Sequence, residues 1–127
     1  MMQRNMKNWL LQQMTAKRRR ALPILSFPSV QLMGVTVRDL ISDSNLQARG
    51  MAEIARRCPA AAAVSMMDLS VEAECFGSQI CVSDNEVPTV VGAVIETLED
   101  AEAMRVPDVG SGRTGLCVDA ISKVLDL

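Results

Sequence analysis

Three carboxylates, Asp68, Glu72 and Glu74, follow a near-continuous apolar run in the stretch AAAAVSMMDLSVEAECFG, residues 60–77. They are the concentrated acid chemistry of the chain. If the turn after Asp68 is helical, Asp68 and Glu72 lie at i and i+4 on one face. Like charges held that close raise one pKa, which suits proton transfer or a cationic or multiply hydrogen-bonding ligand. The same spacing also describes a capped helix start, with Asp68 as the cap and Glu72 favourable to the dipole. Met67, beside Asp68, either lines an apolar ligand pocket with Met66 or is ordinary core.

Other chemistries are narrowed by what the chain carries. There is no histidine, and the four cysteines, Cys58, Cys75, Cys81 and Cys117, show no CxxC spacing. Short paired zinc ligands are therefore unsupported, and we assign no metal ligand. Without a secretory pattern, reduced and mostly buried thiols are expected, and a cytoplasmic setting. The loop Gly110-Ser-Gly-Arg113-Thr-Gly115 could expose N–H groups to a phosphate, but it lacks a Walker pattern and reads as a loop-to-helix connection.

Residues 1–20 carry Arg4, Lys7, Lys17, Arg18, Arg19 and Arg20 and no acid, a charge of +6 that leaves −8 for the rest of a chain with net charge −2. No interleaved aromatics support a nucleic-acid surface, and no apolar run is long enough to span a membrane. Met6, Trp9, Leu10, Gln13 and Met14 recur at helical steps, so residues 4–16 are expected to form an amphipathic helix anchored on the body by Trp9.

The elements that must position the acids follow. Leu22–Phe27 and Ala61–Met67 read as strands, the second apolar enough to be buried on both faces. Pro28–Gly34 reads as a loop. Thr36 caps a short helix with Asp39 in capping-box spacing. Asp43 or Ser44 caps a helix to about Arg57, with Leu46, Met51, Ile54 and Ala55 inward and Gly50 marking a close contact. Val71–Phe76 is a turn of helix closed by Gly77. Ser78–Ser83 and Val87–Val91 make a hairpin, Thr97 caps an acidic helix, and a last helix covers about 114–127, with Leu116, Ala120, Ile121, Val124 and Leu125 on one side.

Strands separated by helices suggest a parallel α/β design. The chain has 127 residues, 49% of them hydrophobic, whereas a complete eight-stranded barrel takes about 250 residues. The excess apolar surface is expected to be covered by further chain or by another copy. The expected fold class is α/β, an incomplete N-terminal portion of a (β/α)8 TIM barrel over residues 21–127, preceded by a basic helix over 1–20 and carrying a small β-hairpin.

The order and wording of three segments add a family. They are LPILSFPSVQLMGVTVRDLISDSNLQARGMAEIARR, then AAAVSMMDLSVEAECFGSQICVSDNEVPTVVGAVIETLEDAEAMRVPD, then a GR-containing loop and a last helix. Together they resemble the N-terminal third of the uroporphyrinogen decarboxylase superfamily, and DLSVEAECFG looks closer to its methylcobamide:coenzyme M methyltransferase branch. The resemblance implies a barrel with its site at the C-terminal strand ends. In the decarboxylase, an aspartate positioned like Asp68 binds pyrrole N–H groups of a tetrapyrrole and stabilises charge without a cofactor. The decarboxylase's arginine-rich RQAGR motif is replaced here by SFPSVQLMG. In the methyltransferase branch a zinc-bound thiolate takes a methyl group from a corrinoid; those His and Cys ligands have no counterpart in this chain.

The expectation is therefore the N-terminal segment of a corrinoid-dependent methyltransferase, inactive by itself. Asp68 is the catalytic candidate, and Asp68, Glu72 and Met67 are the substrate-binding candidates. The small-molecule partners would be a methylated corrinoid and a thiol, or a tetrapyrrole on the decarboxylase alternative. A non-enzymatic, self-associating protein is the other alternative.

Overall fold

The computed structural model describes residues 5–127. The elements are helices α1 (Met6–Thr15), α2 (Ser29–Met33), α3 (Val37–Ser42), α4 (Ser44–Arg57) and α5 (Ser70–Cys75), strands β1 (Gln79–Cys81) and β2 (Thr89–Val91), and helices α6 (Leu98–Ala103) and α7 (Arg113–Val124). This is a mixed helix-and-sheet architecture whose regular sheet is the antiparallel pair β1–β2, with Ile80 opposite Val90. The expected hairpin is present.

Local chemistry accounts for most helix starts. The Thr36 hydroxyl accepts the Asp39 N–H while the Asp39 carboxylate accepts the Thr36 N–H, a reciprocal box that satisfies two otherwise orphaned donors. Thr97 and Asp100 repeat it at α6. Asp43 caps α4 through the N–H groups of Asn45 and Leu46.

The core lies between α3, α4 and α7. Val37, Leu40, Ile41, Ala48, Met51, Ala52, Ile54, Val71 and Ala120 are its buried apolar members. Fully burying a side chain such as Leu40 contributes about 1.5–3 kcal/mol. Gly50 brings α2 against α4, because a Cβ there would sit 2.6 Å from the Ser29 Oγ. The predicted close contact is real. Of the predicted inner stripe of α4, Met51 and Ile54 are buried, Leu46 is half-buried and Ala55 is exposed. At α7 only Ala120 is buried, while Ile121 and Leu125 face out.

Four sequence expectations are corrected. Pro28–Gly34 is not a plain loop: Pro28, with φ −54°, sits at the start of α2, and Gly34 in the left-handed region ends it. Leu22–Phe27 and Ala61–Met67 form no β ladder. They run alongside each other in the same direction, joined by the Ala61 N–H to the Ala21 carbonyl (2.8 Å) and the Met67 N–H to the Ser26 hydroxyl (3.3 Å). One backbone bond and the missing N–H of Pro23 do not make a parallel ladder. The second segment is also not buried on both faces: Ala62, Ala63 and Met67 are exposed, since no flanking strand among the described residues covers them. Finally, α1 forms, but none of its residues is buried, so Trp9 does not anchor it on the body. Arg4, in the predicted helix range 4–16, lies outside the described residues.

Candidate functional site

The apolar run delivers Asp68 to the junction of the extended segment and α5. Its carboxylate is 1% exposed. One oxygen accepts the Ser70 N–H (2.9 Å) and hydroxyl (2.6 Å), which fixes the turn into α5. The other accepts Arg113 Nη1, at the first residue of α7.

Arg113 is the hub. Its Nε donates to Glu74 at 2.5 Å and its Nη2 to the Ser70 hydroxyl at 2.9 Å. The planar fork of guanidinium lets one side chain hold two carboxylates and a hydroxyl in fixed directions. The Arg113 side chain is 14% exposed and Glu74 41%. Burial opposes the Arg113 charge, but hydrogen bonds to Glu74 and Asp68 outweigh it and raise its pKa.

The glycine-bearing loop supplies this placement. A Cβ on Gly115 would lie 2.5 Å from the Gly110 carbonyl oxygen, so the loop folds directly onto the first turn of α7. Cys75 adds a tie, its thiol donating to the Ser111 carbonyl at 3.0 Å. The loop is thus a connection into a helix, as its sequence suggested, with a role that sequence did not reveal.

Around the pair lie Ile41, Gln47, Met66, Val71 and Cys117. Gln47 Oε1 is buried without a hydrogen-bond partner among the described residues. The Cys117 thiol pKa is pushed up by burial and by the Asp68 charge.

The predicted site residues are therefore separated. Asp68 is buried and occupied by donors of its own chain. Its co-carboxylate on Arg113 is Glu74, not Glu72. Glu72 is exposed on α5 at the rim of an apolar groove of about 280 Å³ lined by Phe76, Val106, Pro107 and Val118. Met67 is exposed beside Asp68. Asp68 precedes α5 and does not share a helical face with Glu72. Arg113 and Gln47 are the members sequence reasoning missed; the only signal was the presence of an arginine at a loop-to-helix junction.

The donor set does not fit a zinc ion. The chain has no histidine, and among the described residues no group of three or more Cys, Asp or Glu side chains could hold a metal. No helix among those residues is long and apolar enough to cross a membrane.

The uroporphyrinogen decarboxylase (URO-D) family model matches residues 19–126. No curated protein matches the sequence. Among solved structures, a methyltransferase from Methanosarcina mazei is similar, with a TM-score of 0.72 and 20% identity, over 98% of this chain and 39% of that one. The chain thus spans 39% of that methyltransferase's length and shares the fold of that part.

Proposed function

This chain belongs to the uroporphyrinogen decarboxylase family, and from that premise we propose that it is the N-terminal segment of a (β/α)8 barrel enzyme that moves a methyl group from a corrinoid to a thiol in the cytoplasm. The observation that carries the reading is the likeness to a methyltransferase across 98% of the chain. Residues 21–127 are the barrel portion and 1–20 an appended basic segment.

In this reading Asp68 orders the end of the extended segment through Ser70 and Arg113. Met67, exposed beside it, and Glu72, exposed on α5 at the rim of the apolar groove, are the groups free to meet a substrate. Asp68 itself contacts a ligand only where the rest of the barrel draws Arg113 away. These residues do not fit a zinc ion.

The 127-residue chain supplied with methylcobalamin and a thiol should yield no methyl thioether. A longer protein joining these residues to the remaining strands should yield it. Turnover by the short chain refutes its inactivity. Carbon dioxide release from uroporphyrinogen by the longer protein, without methyl transfer, refutes the methyltransferase reading in favour of decarboxylation, the activity for which the matched family is named.

A further inference from the structure

Gln47 is 3% exposed, and its Oε1 has no hydrogen-bond partner among the described residues. It lines one cavity with Met66, Asp68, Arg113 and Cys117. Leaving a buried acceptor unpaired is costly. Water does not relieve it, since a bound water needs about 10–15 Å³ and this cavity has room for none. Gln47 is satisfied only when a wall of the cavity moves.

The wall built to move is α7. It supplies Arg113 and Cys117 to the cavity and buries Ala120 alone, whereas α4, which carries Gln47, buries Ala48, Met51, Ala52 and Ile54. Polar ties hold its two ends. At the first, Arg113 meets Asp68, Ser70 and Glu74. At the other, the Ser44 hydroxyl donates to Asp119 at 2.6 Å and accepts from Lys123 Nζ at 2.7 Å. Both ties part at small net cost. Arg113 and Asp68 regain the hydration that their burial removed, which offsets the lost attraction. Asp119 and Lys123, 2.8 Å apart on α7 itself, keep each other. Upstream lies a pivot: the Cys75 thiol anchors the Ser111 carbonyl, and Gly110 (φ 84°) and Gly112 (φ 54°) flank it with the freedom a hinge needs.

We propose that α7 lifts from α4 as a unit, pivoting at Gly110–Gly112, and that this opening exposes the Asp68 carboxylate and the Gln47 amide oxygen together. The rest of a barrel would then act on Asp68 by holding an open state that this chain already visits. The inference does not rest on the enzymatic reading, and its test contains no activity assay.

The test is native-state amide hydrogen exchange of the whole chain at neutral pH in low urea, with circular dichroism to verify the fold of each variant. Amides of residues 116–124 on α7 should exchange about tenfold faster than those of residues 48–54 on α4, with a weaker dependence on urea. Gly50→Ala, which strains the Ser29 contact on the α2 side, should speed exchange on α4 and leave α7 unchanged. Gln47→Met removes the unpaired acceptor and should slow α7 exchange about tenfold. Should either variant lose its fold, the two rates and urea slopes of the unaltered chain still decide. One common rate for both helices, a parallel response to Gly50→Ala, or α7 exchange that does not slow in Gln47→Met overturns the proposal.

Discussion

Asp68 and Arg113, 45 residues apart in sequence, meet as an ion pair with a buried carboxylate and a part-buried guanidinium, which joins the end of the apolar run to the start of α7. Ser70 touches both partners, so the pair is also the entry to α5. Breaking a buried pair from one side leaves a desolvated charge without its counterion, which costs more than the pair contributes.

Arg113→Ala is therefore expected to lower the free energy of unfolding by about 3–5 kcal/mol, measured by urea titration. R113M/D68N should lose less than R113M, because no bare carboxylate remains. Glu74→Gln, at the wet edge of the same guanidinium, should cost at most about 1 kcal/mol. Equal losses for Arg113→Ala and Glu74→Gln would mean that Asp68 is not the partner that matters.

Acid should destabilise the fold through four carboxylates, three exposed and one, Glu53, half-buried. Asp39 is held below its ordinary 3.8 by the Thr36 hydroxyl, Asp100 by the Glu96 N–H and Thr97, and Asp119 by Lys123 and Ser44; Glu53 is held below 4.5 mainly by Arg57. A lowered folded-state pKa means that the unfolded chain binds more protons. Stability is then full above the unfolded values and falls as pH drops through the folded ones. The thermal midpoint should be flat from neutral pH to about 5 and decline below 4.5 and 3.8, the upper limits these groups set. Asp39→Asn should shallow that decline; an unchanged slope would remove the Thr36–Asp39 box from the account.

Gly50→Ala pits propensity against space. Alanine favours a helix interior by about 1 kcal/mol over glycine, but its Cβ would fall 2.6 Å from the Ser29 Oγ and 3.1 Å from the Ser29 Cβ. Ser29 is buried, and its hydroxyl donates to the Ser26 carbonyl at 2.6 Å, so it has little room to yield. Overpacking of this kind costs about 1–3 kcal/mol. A net loss in the unfolding midpoint is expected, with Ser29→Gly restoring part of it. A gain would show that α2 moves aside freely.

The thiols should react in order of access and acidity. Cys81 is exposed on β1, whereas Cys117 is half-buried with a raised pKa. The thiolate is the reactive form, so iodoacetamide at neutral pH should label Cys81 well before Cys117, as peptide mass spectrometry would resolve. Labelling of Cys117 first would contradict its packing against the Asp68 pair.

What the sequence by itself determined is mostly what neighbouring residues decide among themselves. The Thr36–Asp39 box, the Thr97 cap, α4 and the hairpin all depend on side chains a few positions apart, and each stands as read; of the two caps the sequence offered α4, Asp43 is the one used. The family was legible for a related reason, since it rests on runs of adjacent residues such as DLSVEAECFG. Even locally the reading had limits: Pro28 read as the start of a loop and is the start of α2, because a fixed φ suits either role.

Only the tertiary structure decided the rest. The ladder expected of Leu22–Phe27 and Ala61–Met67 needs flanking strands, and apolar composition cannot provide them. The helix α1 has its pattern but no burial, because a stripe on one surface does not specify its complement. Arg113 found Asp68 and Glu74 only when α7 packed beside α5, and the spacing that singled out Glu72 carried no trace of it. Charges far apart in a chain pair through the path of the backbone between them, and that path is set by packing, not by local periodicity.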